Sequence, residues 1–540
     1  MKSLINSDFV SIIMLTYTGL DKTYDLAHYT KRAPAFGIIR STKIHSYTER
    51  SARSYDNPKC KNENTCSAVN VSFVKAIVDL KISKLLTECN IRKNSRKLAG
   101  EESGAKRSAF EVFQFLLMIA FEGYNLYRFL GSRKQDIACS KSTYHRFLND
   151  CHYNWRRFVT KLASRVISYF DSLTCESRFK AFVLDDSVIG RNRSKAVELL
   201  AFIFDHVTGK KIKGFNLLLL GWTDSFSFVP VGFNMLSSAK EEKRINDIRK
   251  DIDKRTSGYK NRMAAVMNKP DAAIELIHNA VKAGIAADCV LMDTWFTNEP
   301  FINRVLEEGL QVIGMLKDNK QRYYYGKRLL GLKELASCCA RLGAPSDYLG
   351  SVVVRTRNLQ IPVKIVFVRN HNKRSEYILI LSTDCTLSDE EIIRRYGCRW
   401  SIECCFKVGK SLLRLGKEFQ PVNYDTTVSS TALVLTRFII LEWIRRKNSD
   451  EKTICELFFV CCEDVRDMEY SEALKQLLSI FVTGINSGDV TISENTRVEL
   501  LEWYITQPAF IRSLCTDLMQ ETGLIESTAN HKPEKKSTVA

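Results

Sequence analysis

Phe182-Val-Leu-Asp185-Asp186-Ser187-Val-Ile189 is an apolar stretch with two adjacent acids at its centre. Strands buried in a mixed or parallel sheet read as continuous Val, Ile and Leu runs, so acids inside such a run need a purpose. Two more strands are predicted directly after it, at residues 216–222 and 227–233, with a hairpin turn at Thr223-Asp-Ser. We therefore predict the first strand of a sheet, carrying a functional carboxylate.

A second acid ends a later strand. Cys289-Val-Leu-Met-Asp293 follows a helix predicted for Lys269–Gly284, and a helix at Asn298–Gly309 and a strand at 311–316 come after it. Strand, strand, strand, helix, strand, helix, strand is the order of an RNase H-like sheet. The strands that carry Asp186 and Asp293 are neighbours in that order, so we expect the two carboxylates to meet.

A third acid lies on a predicted helix further along the chain. Tyr396-Gly-Cys-Arg-Trp-Ser-Ile-Glu-Cys-Cys-Phe-Lys-Val-Gly-Lys410 contains no proline, and the run continues uninterrupted to Leu415. Ser388 is a suitable N-cap, with Glu391 three residues on as in a capping box. These features predict one continuous helix.

The helical spacing of this stretch groups side chains of complementary chemistry. Tyr396, Arg399 and Glu403 share one face, and Lys407 and Lys410 continue nearly the same stripe. A carboxylate in that setting can hold a divalent cation, while the basic and aromatic groups hold phosphates and bases. The alternative is an exposed helix with an ordinary Arg–Glu ion pair, and taken alone this helix favours the alternative.

Taken together, the three acids predict a metal site with oxygen ligands. Asp186, Asp293 and Glu403 come from distant segments, and Mg²⁺ prefers carboxylate oxygen. Two Mg²⁺ ions roughly 3.5–4 Å apart could stabilise both the attacking and the leaving oxygen of an in-line displacement at phosphorus. The alternative for each acid is structural: Asp185 or Asp186 caps a strand turn, and Asp293 caps the following helix.

The composition favours a polyanionic partner. The 540 residues carry a formal charge of +19 with a pI near 9.2, which indicates nucleic acid, with an anionic membrane surface as the competitor. No run of about 18 apolar residues and no signal peptide is recognisable, so we expect a cytoplasmic protein without membrane association. The 17 cysteines are scattered and lack zinc spacing, which indicates reduced thiols.

Changes in pattern along the chain predict four regions. Residues 1–95 form a basic, partly flexible N-terminal region, and residues 96–175 form a helical, DNA-binding region. Residues 176–445 form the α/β catalytic domain, with a β-rich insertion at about 318–387. Residues 446–540 form a helical C-terminal region with a disordered tail.

Several local interpretations remain open at this level. The first region is a DNA-binding arm or, equally, upstream sequence ahead of a start at Met14. Short basic helices within 140–157 resemble a helix-turn-helix, or belong to a plain helical bundle. The charged segment 240–262 is expected to be solvated and to lie on phosphates. Lys317, followed by interleaved Tyr and basic residues, suits DNA ends with a displaced base, or these are ordinary surface strands.

The three acid-bearing segments resemble the motifs of the insertion-sequence-four family of DDE transposases over roughly residues 110–445. The spacing Tyr396, Arg399, Glu403, Lys410 is similar to the family signature without a gap. Met292-Asp293-Thr-Trp-Phe looks like the second-acid motif. Leu184-Asp-Asp-Ser187 looks like the first, in which the Asp before Ser or Thr is the ligand, so the resemblance selects Asp186 over Asp185.

This resemblance implies a function and its partners. Tyr396, Arg399 and Lys410 would contact the transposon end, and Trp295 or another aromatic residue would support DNA distortion there. Cut-and-paste transposition is implied, with two Mg²⁺ ions (replaceable by Mn²⁺), terminal inverted repeats and target DNA as double-stranded partners, and a synaptic homodimer at the nucleoid. A structure-specific nuclease on the same fold and a non-catalytic DNA-binding remnant are the alternatives.

Overall fold

The structure is a computed structural model. It describes residues 72–462, except 92–107, 122, 124, 133–139, 175–177, 207, 318–320, 340–347, 370–376, 420 and 449–452, together with residues 498, 501–502, 504–506 and 520. The described residues belong to one compact unit that includes residues 70–540. The predictions for residues 1–71, and most of those for 446–540, lie outside the described residues.

Eleven strands in the described part of the chain form one mixed sheet. The strands are β1 Ala181–Gly190, β2 Ala201–Asp205, β3 Lys210–Thr223, β4 Phe228–Leu236, β5 Cys289–Met292, β6 Gln311–Leu316, β7 Arg322–Tyr325, β8 Arg328–Gly331, β9 Tyr348–Thr356, β10 Pro362–Arg369 and β11 Tyr377–Ser382.

The pairing of the first strands confirms the predicted RNase H-like core. β4 pairs antiparallel with β3, β3 antiparallel with β1, β1 parallel with β5, and β5 parallel with β6. The predicted turn between β3 and β4 is present, where the Asp224 carboxylate accepts hydrogen bonds from the backbone N–H groups of Phe226 (3.0 Å) and Ser227 (2.7 Å). β2, which the pattern did not predict, pairs with the N-terminal half of β3.

The predicted β-rich insertion continues the same sheet. β11 pairs antiparallel with β6, and β10, β9, β7 and β8 follow in that order beyond it. The strands of the insertion therefore lie in sequence between the last core strand, β6, and the helix that carries Glu403, and they widen the sheet.

Helices cover both faces and one edge of the sheet. They are α1 Ser72–Asp79, α2 Ile82–Glu88, α3 Ala109–Met118, α4 Leu126–Ser132, α5 Lys141–Leu148, α6 Trp155–Ser172, α7 Ser257–Ala265, α8 Lys269–Lys282, α9 Glu299–Glu307, α10 Leu332–Cys339, α11 Asp389–Gly397, α12 Trp400–Ser411 and α13 Tyr424–Lys447.

The local sequence explains where α8 begins and ends. Asn268 caps it by accepting a hydrogen bond from the backbone N–H of Asp271 at 2.9 Å, and Pro270 occupies its first turn. Gly284 follows the helix with φ +76°, a conformation that glycine adopts without strain. This helix and α9 confirm the predicted boundaries to within a few residues.

The prediction of one continuous helix around Arg399 is wrong. α11 ends at Gly397 and α12 begins at Trp400, although the Ser388 N-cap is present and accepts from the Glu391 N–H at 3.2 Å. At the junction the backbone N–H groups of Cys398 and Arg399 bond to carbonyls three residues back, which tightens the turn to 3₁₀ geometry.

α13 is the central helix against the sheet. It is long and apolar enough to cross a membrane by length and composition, but 94% of its apolar window is buried inside the protein, as in a core helix. The segment 240–262, predicted to be solvated, is mostly exposed as far as Arg255. The prediction fails at Arg262, which reaches the N-terminus of α13. Arg262 is only 1% exposed, and its guanidinium binds the carboxylates of Glu198 and Asp425 at 2.7 Å each.

Candidate functional site

The two adjacent acids of β1 have different partners because successive side chains of a strand point to opposite faces. The Asp185 carboxylate accepts a hydrogen bond from Arg399 Nη1 at 2.9 Å, and Ser187, two residues on, accepts from Lys410 Nζ at 2.7 Å. Asp185 therefore lies on the face covered by α12.

Asp186 lies on the opposite face, beneath α8. Its carboxylate accepts hydrogen bonds from Lys269 Nζ at 2.8 Å and from Asn216 Nδ2 at 2.6 Å. Asp186 is thus paired with a cation from the first turn of α8, whereas Asp185 is the β1 acid that faces the Glu403 helix.

Asp293 follows directly after β5. Because Leu184 pairs with Met292 in the parallel register, Asp185 and Asp293 are the next residues on neighbouring strands and share a face. Asp293 Oδ1 accepts hydrogen bonds from the backbone N–H groups of Trp295 (3.0 Å) and Phe296 (3.4 Å). It caps this turn but not α9, which begins later.

Arg399 joins the acids of this face. Its guanidinium donates to Asp185 and also to Glu403, one turn further along the chain. The side chains of Asp185, Arg399 and Glu403 are 15%, 12% and 22% exposed, so the group lies at the bottom of a partly open site. We call Asp185, Asp293, Glu403 and Arg399 the acid cluster.

Burial perturbs the carboxyl groups of the acid cluster. Burial raises the pKa of Asp185 to about 7; the Arg399 charge opposes this rise, while the charges of Asp293 and Asp186 add to it. Burial also raises the pKa of Asp293, again against the influence of Arg399. Such shifts are typical of functional sites, because like charges are held together in a poorly solvated place.

The donor set of the acid cluster fits a hard divalent cation. All three anionic side chains offer carboxylate oxygen, which suits Mg²⁺ or Mn²⁺. The Arg399 guanidinium binds the oxygens of Asp185 and Glu403, and the three carboxylates do not form a closed ligand group. Among the described residues such a group, with ligand atoms within 4.8 Å of one another, occurs at Asp150, Cys151 and His152.

The residues predicted to contact DNA on the Glu403 helices differ in accessibility. Tyr396 is 1% exposed and lies in the core, with the Arg399 guanidinium 5.9 Å from its ring centroid. Lys410 is half-buried against Ser187, whereas Lys407 is exposed on α12. The structure therefore brings Lys407 to the surface and keeps Tyr396 below it.

The two remaining predicted DNA contacts lie on other segments. Trp295 is 45% exposed, and Lys269 Nζ lies 4.2 Å from the centroid of its ring. Lys317 is exposed just after β6. Trp295 thus lies beside the Asp186–Lys269 pair.

Sequence reasoning missed Lys269 and Asn216 at this site. Both contacts join residues far apart in the chain, and a lysine at a helix start carries no signal of its partner. The position of Asp185 did have a signal. Because side chains alternate along a strand, Asp185 lies on the same face of the sheet as Ser187. In the parallel register with β5, Asp185 also lies beside Asp293.

Residues 115–330 match the family model described as DDE superfamily endonuclease. The match covers about two fifths of the chain, includes Asp185, Asp186 and Asp293, and ends before Glu403. It supports a DDE-type nuclease, a group that generally uses divalent metal ions. No curated protein shows a significant match to the chain.

Proposed function

We propose that the chain is a DDE transposase of the insertion-sequence-four type. In this proposal it binds the ends of its element, cleaves them by metal-dependent phosphoryl transfer and joins the 3′ ends to target DNA. The observation that carries the proposal is the acid cluster: three carboxylates from three distant segments meet on one face of an RNase H-like sheet. The net charge of +19 agrees with a DNA substrate.

Asp185, Asp293 and Glu403 are the residues that would hold the cations. Asp185 takes the place that the sequence motif assigned to Asp186, because Asp185 shares a face with Asp293 and is joined to Glu403 through Arg399. Bound divalent cations would stabilise charge on the attacking and leaving oxygens of an in-line displacement at phosphorus. Mg²⁺ is the proposed ion, with Mn²⁺ as a substitute.

Arg399 has a positioning role in this scheme. Its donations to Asp185 and Glu403 orient both carboxylates, as outer partners commonly orient metal ligands. Lys407 is exposed on the same helix, where an ammonium group can bind a phosphate of the DNA end. Trp295, exposed beside the site, offers a stacking surface for a displaced base.

The partners and the place of action are also part of the proposal. Terminal inverted repeats and target DNA are the proposed substrates, and a homodimer would bring the two ends together. The protein would act on DNA in the cytoplasm.

A nuclease without strand transfer is the second candidate. The family match favours it, because the matched family is described as an endonuclease and the matched segment ends before Glu403. The two candidates share the acid cluster and differ in the fate of the 3′ end.

The test uses a labelled duplex that carries the flanking ends of the gene, with Mg²⁺ or Mn²⁺. We compare wild type with Asp185→Asn and Asp186→Asn, a matched pair of adjacent substitutions that remove the same charge from opposite faces of β1. We expect wild type to nick at the element boundary and to form joined products. Asp185→Asn should lose cleavage by about 10²–10³-fold, the order of one lost charge-stabilising contact.

Each outcome has a distinct meaning. A larger loss of cleavage in Asp186→Asn than in Asp185→Asn would show that Asp186, and not Asp185, is the metal ligand. Nicking without joining would favour the nuclease. Binding of the ends by all three proteins with no cutting by any would contradict the enzymatic proposal and leave a DNA-binding remnant.

A further inference from the structure

A cleft of about 930 Å³ lies between α6, α7 and α8, away from the acid cluster. Its walls carry six cationic side chains but only two acidic ones. The cationic residues are Arg156, Arg157, Lys161, Arg165, Lys260 and Lys282. We call this feature the basic cleft.

Half of these cations hold the walls together. Arg156 donates to the Phe233 carbonyl at 3.1 Å and to Glu275 at 3.1 Å, and Lys161 pairs with Glu88. Both acids of the cleft are thereby neutralised. Arg165 donates to the Leu80 carbonyl at 2.5 Å.

The other three cations have no such partner. Arg157, Lys260 and Lys282 are exposed, and none makes a hydrogen bond or ion pair through its side chain within the part of the chain that the structure describes. They line the same cleft from three different helices. Uncompensated like charges held close together repel one another, so a polyanion that enters the cleft relieves this repulsion.

The remaining lining suits a phosphodiester backbone. It is largely composed of hydroxyl and amide side chains, such as those of Asn154, Thr160 and Asn279. Side chains of this kind, with Lys and Arg, supply most contacts to phosphate and sugar.

The orientation of α8 connects the basic cleft to Asp186, which lies on the face of β1 opposite to the acid cluster. The helix begins with Lys269 on Asp186 and ends at the cleft with Lys282, thirteen residues on, or about 20 Å at 1.5 Å per residue. That length corresponds to about six phosphates along one strand of a duplex, at 3.4 Å each. The basic cleft is therefore a separate surface, long enough for several phosphates of one strand.

We propose that the basic cleft binds the phosphodiester backbone of duplex DNA, without reading its sequence. The inference rests on the proposed function for DNA as the partner. It adds a second point of attachment, formed by Arg157, Lys260 and Lys282, with Lys282 about 20 Å along α8 from Lys269.

The test measures the affinity of the full-length protein for a fluorescent duplex of arbitrary sequence at several salt concentrations. The cleft variant carries Arg157→Gln, Lys260→Gln and Lys282→Gln. Each lost phosphate contact should reduce the steepness of the slope of log K against log[salt] by about 0.9. The slope of the triple variant should therefore be less steep than that of the wild type by about 2.7. The loss should be the same for a second duplex of different sequence, because phosphates carry no sequence information.

A matched control removes the same number of charges elsewhere. Lys195, Lys210 and Lys211 are exposed lysines outside the cleft and outside the segments expected to bind DNA, and their combined change to Gln also lowers the net charge by three. We expect this control to keep the wild-type slope, and circular dichroism to show that both variants are folded.

The outcomes separate the cleft from the proposed function. Wild-type binding with an unchanged slope in the cleft variant would overturn the cleft and leave the proposed function intact, as would equal losses in cleft variant and control. No duplex binding by the wild type would overturn both. Competition by inorganic phosphate at millimolar or lower concentration would show a small-anion site and would also refute a backbone site.

Discussion

Arg437 offers the sharpest test of how α13 is held in the core. Its side chain is fully buried, and its five N–H donors all have acceptors. Two donors reach the Glu418 carboxylate at 2.6 and 2.7 Å, and the others reach the carbonyls of Leu116, Leu117 and Leu413. One side chain thus ties α13 to the end of α3 and to the segment after α12.

The perturbation is Arg437→Met, which keeps the length of the side chain and removes its charge. Glu418 is only 1% exposed and would remain as an unpaired buried carboxylate. Breaking a buried ion pair in this way typically costs about 3–5 kcal/mol. We expect a loss of that size in the free energy of unfolding near neutral pH.

The loss should depend on pH, with a sign that the structure dictates. Burial raises the pKa of Glu418, and the Arg437 charge opposes that rise. Without Arg437 the folded-state pKa rises further above the unfolded value of about 4.3, so the folded state keeps a proton that the unfolded state releases. The variant is therefore least destabilised below the unfolded pKa. Its free energy of unfolding falls by up to about 1.4 kcal/mol per pH unit as the pH rises towards the folded-state pKa of Glu418.

The assay is urea unfolding followed by circular dichroism at about pH 5 and about pH 7, where the destabilisation should differ by up to about 2.7 kcal/mol. The control is the double variant Arg437→Met with Glu418→Gln, which has no carboxylate to bury and should show little pH dependence of its destabilisation. A destabilisation below about 1 kcal/mol, or one equal at both pH values in the single variant, would refute the reasoning.

Two further predictions concern the acid cluster and the sheet. Because burial raises the pKa of Asp185 to about 7, Mn²⁺ that binds below that pH must displace a proton from this carboxyl group. Calorimetry should show proton release on binding, and the Mn²⁺ affinity should fall by up to about tenfold for each pH unit below 7. A pH-independent affinity would contradict the assignment of Asp185 as a ligand. Gly221→Ala should destabilise the protein by about 1–3 kcal/mol in thermal or urea unfolding, because a Cβ there would lie 2.1 Å from the ring of Phe228. Phe228→Leu in the same chain should recover part of that loss, and a neutral Gly221→Ala would show that the ring moves aside.

Much of the architecture could be read from local pattern. The continuous apolar runs around Asp185 and before Asp293 identified their strands, and the order of elements predicted that these two strands, β1 and β5, are neighbours. Capping residues such as Ser388 marked helix starts, because a cap depends on a side chain and a backbone N–H only a few residues apart. The family match over residues 115–330 supports the nuclease class that the acids indicated.

The faces of the site depended on more than the local pattern. The choice between Asp185 and Asp186 followed a short motif, while the structure turns Asp185 towards Arg399 and Asp186 towards Lys269. The break between α11 and α12 was also missed, although Gly397 ends α11, because an isolated glycine without a proline beside it is compatible with a continuing helix. A strand pattern gives the alternation of side chains, but which face receives which helix depends on packing over the whole sheet.

The sequence by itself determined the elements, their order, the acids and the excess of positive charge, because these follow from short-range periodicity and composition. Only the tertiary structure decided the partners of each charge. Arg262 and Arg437 look like ordinary basic residues in the chain, yet each is buried on acids far away in sequence. Such pairs form where folding removes both partners from water, and the stability of a buried charge depends on a partner that only the fold supplies.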